Sequence, residues 1–253
     1  EQLSTVKALL ARGAQHDIKG NTRGQTPLMW AAANRHPAVV KTLVEAGADL
    51  HARSVVFDRL VNTGRWGFMD KLFDPSVLEV RAQGGFTPLL FAAQQGDVES
   101  GNILLAAGAD ANDAGPDGTS VLVLAAHSDQ AAVASALLEK RANPNAAGSG
   151  YAALHAAVLR GNLGLVQALL ARGADPNARL VKGTAMRRYG EDYVLHADLI
   201  GATPFWLAAR FGEVEIMRTL VAGGASARVT LADGTTPIMA AIAPTRTDSD
   251  RFR

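Results

Sequence analysis

The chain has 253 residues, with 25 Lys+Arg against 24 Asp+Glu, so no overall field draws it to nucleic acid or a membrane surface. A hydrophobic content of 48 % with only 19 % charged residues excludes disorder over most of the length. The absence of cysteine removes disulfides, thiolate zinc sites and thiol nucleophiles together. No apolar run approaches the ~20 residues of a membrane helix. Glu1 rather than Met opens the sequence and no secretory leader is visible, as expected of a processed or partial chain.

In chain order, residues 3–12 carry Leu3, Val6, Leu9 and Leu10 at helical spacing and stop at Gly13-Ala14. Thr26-Pro27-Leu28 then opens a unit that recurs at Thr87-Pro88-Leu89, Thr203-Pro204-Phe205 and Thr236-Pro237-Ile238, with degenerate copies at Ser120-Val121-Leu122 and Ala152-Ala153-Leu154. From each opening to the next Gly-Ala, or to Arg141-Ala142 in the same role, the distance is 21 residues (26 to 47, 87 to 108, 120 to 141, 152 to 173, 203 to 224). The period is about 33, and all extra length, about 28 residues in one place and 18 in another, falls between Gly-Ala and the next opening.

Each constant part reads as two helices. Thr caps the first and Pro takes its first position, where no N–H is needed. A break follows near Arg35, Gly96, Gly161 or Gly212, and a second apolar helix, such as Leu163, Leu165, Val166, Leu169 and Leu170, stops at a glycine. Gly24, Gly85, Gly118, Gly150, Gly201 and Gly234 each stand two residues before the opening, which predicts a turn with positive φ. The unit is helix, turn, helix and a projecting finger.

This pattern resembles the ankyrin repeat, on Gly173-Ala174-Asp175-Pro176-Asn177, Gly108-Ala109-Asp110-Ala111-Asn112 and Leu154-His155-Ala156-Ala157. The resemblance covers about 200 residues. Val121 and Ala153 replace Pro, and Ser100-Gly101 replaces two β-branched residues, which weakens those places locally. It implies an all-α repeat solenoid over 1–243, with five complete helix pairs flanked by two half repeats, finger insertions at about 54–81 and 179–200, and a tail at 244–253. Leu3, Val6, Leu9 and Leu10 at one end, and Ile238 and Ile242 at the other, are expected to be partly unprotected, with further protein packing on both unfinished ends. The tail, from Pro244, reads as a flexible linker. Asp74-Pro75 reads as a cap and first turn, predicting a short helix from about Pro75 to Arg81.

No constellation for catalysis emerges. Asp110 to Gly115 resembles the start of a calcium loop, but the twelfth position is Val121 where a bidentate Glu is required, so a finger of turn formers is the better reading. Gly148-Ser149-Gly150 lacks the Lys-Ser/Thr of a phosphate loop and reads as a turn. None of the six histidines pairs at i, i+4. His155 matches the family histidine that ties neighbouring repeats through hydrogen bonds. His196 with Glu191 and Asp192 is a minor metal candidate. Lys182, Arg187 and Arg188 with Tyr189 and Tyr193 would make a basic-aromatic patch, but Glu191, Asp192 and Asp198 nearly cancel it. The expectations are no enzyme activity, no cofactor, no metal and no nucleic acid.

In the family, partners lie along the concave side formed by finger tips and the exposed ends of the first helices. By position these are Gln25, Phe86, Thr119, Tyr151, Ala202 and Thr235, then Ala33-Asn34, Gln94-Gln95, His127-Ser128, Leu159-Arg160 and Arg210-Phe211. Phe86, Tyr151, Arg160, Arg210 and Phe211 are of the types that concentrate binding energy. Trp30, Phe91, Leu124 and Leu207 occupy a position expected to be inter-repeat core. The insertions add Phe57, Trp66, Phe68 and Phe73, then Arg187, Arg188, Tyr189, Tyr193 and Leu195, which either anchor the loops or enclose a groove. The function expected is a non-enzymatic module binding a partner protein through the concave face and enlarged fingers. The alternative is an accessory subunit or fragment docking onto an enzyme or redox partner. The segment around Ile200 to Phe211 looks like ankyrin proteins of environmental bacteria, giving an expectation of a bacterial, periplasmic or exported protein.

Overall fold

The computed structural model describes residues 2–62, 78–184, 195 and 197–242. Among them α1 (Gln2–Ala11) is followed by the helix pairs α2 (Pro27–Ala33) and α3 (Pro37–Glu45), α4 (Pro88–Gln95) and α5 (Val98–Ala106), and α6 (Val121–His127) and α7 (Ala131–Glu139). The pairs α8 (Ala153–Leu159) and α9 (Leu163–Ala171), and α10 (Pro204–Phe211) and α11 (Val214–Ala222), precede α12 (Pro237–Ile242). Strands β1 (Val56–Asn62) and β2 (Leu78–Gly84) pair as a two-stranded sheet between α3 and α4.

The first helices begin where a hydroxyl can cap them. The side chains of Thr26, Thr87, Ser120, Thr203 and Thr236 accept the N–H three residues on, at 3.2–3.5 Å. All six glycines before the openings have positive φ, from 59° to 96°. Arg35, Asp129 and Arg141 take φ near 60° where other repeats place glycine, so the repeat geometry is imposed even on residues that pay a steric cost for it.

Two compact units form, Glu1–Phe57 with Ala82–Asn143 and Asp58–Arg81 with Pro144–Arg253. In the first, α2, α4 and α6 pack in succession, α3, α5 and α7 pack behind them, and α1 lies on α3. In the second, α8, α10 and α12 pack in succession with α9 and α11 behind. Their cores are the fully buried Leu28, Met29, Leu89, Leu90 and Leu122, and Leu154, Leu159, Leu169 and Leu207, each contributing roughly 1.5–3 kcal/mol by leaving water. α1 has no buried residue and Leu9 is exposed; Ile238, Met239 and Ile242 of α12 are exposed as well.

The short helix expected from Pro75 to Arg81 is not formed where it can be seen, because Leu78–Gly84 is strand β2. Ser54 donates its N–H to the Phe86 carbonyl and Gly85 donates to Val55, which sets the chain antiparallel at the root of the ribbon. Leu78, Val80 and Ala82 alternate with Glu79, Arg81 and Gln83, a period of two that suits a pleat. The tail expected at 244–253 lies outside the described residues.

Candidate functional site

In the first unit one register position, four residues after the capping hydroxyl, carries Trp30, Phe91 and Leu124 on successive first helices. Trp30 is 58 % exposed and the other two are half-buried, so the expectation that this position is closed core fails here. α2, which carries Trp30, packs on α3 and α4. In the second unit Leu207 is fully buried, as expected, and Ala156 at the equivalent position is buried too.

Phe86, on the finger, is half-buried with its ring edge-on to Phe91 (centroids 5.5 Å apart, 64° between planes). Such a pair holds the finger residue in one pose and leaves its remaining surface as a preformed contact. Around this row stand Gln25, Asn34, Gln94, Gln95, Thr119 and Ser128, all partly or fully exposed and all uncharged.

In the second unit Tyr151 is only 6 % exposed. The start of the second insertion is bonded to the residue before it: Val181 and Lys182 both donate N–H groups to the Gly150 carbonyl, at 2.7 and 3.3 Å. Ala202 and Leu159 are also buried, whereas Arg160, Arg210 and Phe211 are half-buried. His155 is fully buried. Its Nδ1 accepts the Ala152 N–H at 3.2 Å, which leaves Nε2–H to donate to the Ala178 carbonyl at 3.1 Å. Ala152 has no side-chain oxygen to accept the His155 N–H, and the imidazole instead holds the Ala152 N–H at the start of α8, as Met29 Sδ holds the Thr26 N–H in α2. Burial pushes its pKa down to about 4 against the smaller opposing effect of the carbonyls, and the ring is neutral at pH 7.

The insertions are anchored by residues that sequence reasoning passed over. In the first unit Arg53 bonds the Gly85 and Ala114 carbonyls at 2.9 and 3.0 Å and pairs with Asp113 Oδ1, whose Oδ2 accepts the Thr87 hydroxyl at 2.6 Å. Both Asp113 oxygens are thus used in joining fingers, and Asp110 accepts the Asn112 N–H, as turn formers do. In the second unit Arg81, 9 % exposed, donates to the Gly183 carbonyl at 2.8 Å and to Glu79 at 3.0 Å, while Lys182 lies 3.3 Å from Glu79. Burial pushes the Glu79 carboxyl up, but bonds and attraction from Arg81 and Lys182 outweigh it and hold the group below the usual range. Thr184 donates its N–H to Leu195 at 2.9 Å and accepts the Leu195 N–H on its hydroxyl at 2.8 Å, closing the neck of the second insertion. A residue of the first insertion is therefore tied to the neck of the second. The signal was available in the alternation of Glu79 and Arg81 on one face of a strand.

Trp66, Phe68, Phe73, Arg187, Arg188, Tyr189, Glu191, Asp192, Tyr193 and His196 lie outside the described residues. Among the described residues no group of three or more His, Asp or Glu gathers, and no helix is long and apolar enough to cross a membrane.

Helix pairs in register, capped by Thr-Pro and joined by fingers with positive-φ glycines, define the class as a helical repeat protein. Residues 1–54 and 89–179 match the family model for ankyrin repeats in three copies, and residues 200–231 match that for a single ankyrin repeat. The chain belongs to the ankyrin-repeat family, which is generally non-enzymatic and works through protein–protein interaction. It is 30 % identical over 225 residues to the ankyrin repeat and KH domain-containing protein mask-1 of Caenorhabditis elegans, covering 87 % of this chain and 8 % of that protein. It is 35 % identical over 170 residues to the mouse B-cell lymphoma 3 protein homolog, covering 63 % of this chain and 38 % of that protein. This chain thus spans well under half the length of either relative. The crystal structure of the ankyrin repeat domain of Bcl-3 superposes with a TM-score of 0.65 at 25 % identity, over 94 % of this chain and 86 % of that one. That of the human ASB11 ankyrin repeat domain gives 0.66 at 21 % identity, over 98 % and 90 %, a likeness of fold. These relatives are animal proteins and lend no support to the bacterial affiliation expected from the sequence.

Proposed function

We propose that this chain is a non-enzymatic interaction module that binds a partner protein through the exposed face of its first helices and through its enlarged fingers. The observation that carries the reading is Trp30, 58 % exposed at the register continued by Phe91 and Leu124 and flanked by the clamped Phe86. An exposed indole continued by half-buried apolar side chains gains by being covered, and Trp is the type most enriched among residues that dominate binding energy. In the second unit Arg160, Arg210 and Phe211 are the corresponding contacts. Trp66 and Phe68 of the first finger and Arg187, Tyr189 and Tyr193 of the second supply the remainder. An interface of ordinary size would bury roughly 800 Å² on each side.

The test is affinity capture from native extract with the intact chain, a Trp30→Ala/Phe91→Ala variant and a variant lacking residues 63–77. A protein held by the intact chain and lost from either variant, with unchanged unfolding midpoints, supports the reading. Equal recovery by all three overturns it.

A further inference from the structure

Trp30, Phe91 and Leu124 hold the same register on α2, α4 and α6, which pack in succession within the first unit. Equivalent side chains on packed helices stand one interaxial distance apart, about 8–10 Å. A segment laid across the three helices must present an apolar side chain at that interval, always towards the same side. An extended strand does not, because its same-face residues recur at about 6.5–7 Å. A polyproline II helix does. It turns once in three residues of about 3.1 Å each, so every third side chain points the same way about 9 Å further on. An α-helix also comes close, with every seventh residue on one side about 10.5 Å on.

The polar groups beside the row decide between the two. The exposed Trp30 ring offers an indole N–H with no hydrogen-bond partner among the described residues. The side-chain amides of Gln25, Gln94 and Gln95 are likewise unbonded, and each brings two N–H donors. Gln94 and Gln95 follow Phe91 by three and four residues, one turn along the same face of α4. Gln25 sits beside the capping Thr26 of α2. An α-helix has used its carbonyls internally, so laying one here would take these donors out of water unpaired. A polyproline II backbone makes no internal hydrogen bonds, so its carbonyls are open acceptors, and its prolines have no N–H that needs an acceptor in return. None of Gln25, Trp30, Phe91, Gln94, Gln95 and Leu124 is charged, so nothing in the row pairs with a charged residue.

Building on the reading of the chain as a protein-binding module, we propose that this row takes a proline-rich segment of the partner in the polyproline II form, uncharged, with a large apolar residue at every third position. A second copy does not supply it. The ten prolines of this sequence are scattered singly, Pro237 and Pro244 being the nearest pair.

The test titrates the full chain, labelled with nitrogen-15 in its tryptophans, with three acetylated peptide amides. The first repeats Leu-Pro-Pro four times. The second has the same composition with its leucines together at one end, and the third is a helical peptide with leucine at every seventh residue. Trp30→Phe identifies the Trp30 indole signal, and it removes the N–H while keeping a ring. The regular peptide is expected to shift that signal saturably and to bind at least tenfold more tightly than either of the others. Trp30→Phe and Gln94→Ala/Gln95→Ala, with unfolding midpoints unchanged, should each weaken it about fivefold, as the loss of a hydrogen bond does. Equal binding of the grouped-leucine peptide, tighter binding of the helical one, or no shift with any peptide overturns the proposal. So does unchanged affinity in either variant, or a dimer that Trp30→Ala dissociates, since a second copy then covers the row. If these results fail while capture still depends on Trp30 and Phe91, the polyproline segment alone is refuted and the interaction-module reading stands.

Discussion

Lowering the pH from 7 to 4.5 should cost the intact chain about 2 kcal/mol more stability than it costs a His155→Gln variant. The imidazole is fully buried, with Nδ1 holding the Ala152 N–H and Nε2–H on the Ala178 carbonyl. A second proton would have to sit on Nδ1, facing a donor. Its folded pKa of about 4 lies below the ordinary 6.5, so the unfolded chain takes up the proton first as the pH falls. The stabilisation is complete above 6.5, shrinks steadily below it, and is lost as the pH passes about 4. Gln at this position keeps an acceptor for the helix start but cannot titrate. It should lower stability at pH 7 by about 1 kcal/mol through the lost Ala178 bond. Urea unfolding followed by far-UV circular dichroism, at matched ionic strength, gives both curves. Carboxylates titrate in both proteins and cancel in the difference. Parallel curves from pH 7 to 4.5 would show that His155 is not held neutral by burial, and the reasoning would fall.

Three further substitutions probe the repeat packing. Gly101 lies inside α5 with negative φ and open space where a Cβ would stand, so Gly101→Ala should raise stability by about 1 kcal/mol in urea unfolding. Asn145 accepts the Asp175 N–H at 2.7 Å and donates to the Gly173 carbonyl at 2.9 Å, joining two fingers; Asn145→Ala should cost about 1–2 kcal/mol by the same measurement. Gly150 has φ of 96° and a Cβ there would sit 2.2 Å from that of Lys182, so Gly150→Ala should cost about 2 kcal/mol or more and speed exchange of the Val181 and Lys182 amides.

The repeat was legible because its markers answer to backbone geometry. A hydroxyl before proline, and glycine where φ must be positive, recur at fixed spacing whatever the core residues are, and so both helices of each pair could be placed. His155 was legible for the same reason. The first insertion was not, because Asp74-Pro75 mimics a helix start while the competing signal, alternation from Leu78 to Gly84, becomes meaningful only once β1 is there to pair with it. Tyr151 and Trp30 failed in opposite directions. Exposure at a repeat position depends on its surroundings: Val181 and Lys182 of the second insertion bond to Gly150 beside the buried Tyr151, while Trp30 is exposed. The ties of Arg53 and Arg81 join residues 60 and 102 positions apart, beyond any local pattern. They also show why whole-insertion deletions would mislead: residues 54–81 include the buried Ser54 and Arg81, and 179–200 include the buried Leu180, Leu195 and Leu199. Removal of 63–77 or 185–194 leaves those anchors in place.

Site-specific photo-crosslinking from inside the chain tests most directly whether the face of the first helices is where a partner sits. A photoreactive side chain would replace Trp30 in one protein and Lys41, exposed on the second helix of the same repeat, in another. Both would be mixed with native extract and irradiated. A single protein joined to position 30 and absent from position 41 is the predicted result. Crosslinks from position 41 with none from position 30 would contradict the account, because the partner would then lie on the outer helices and the aromatic row would be left in water.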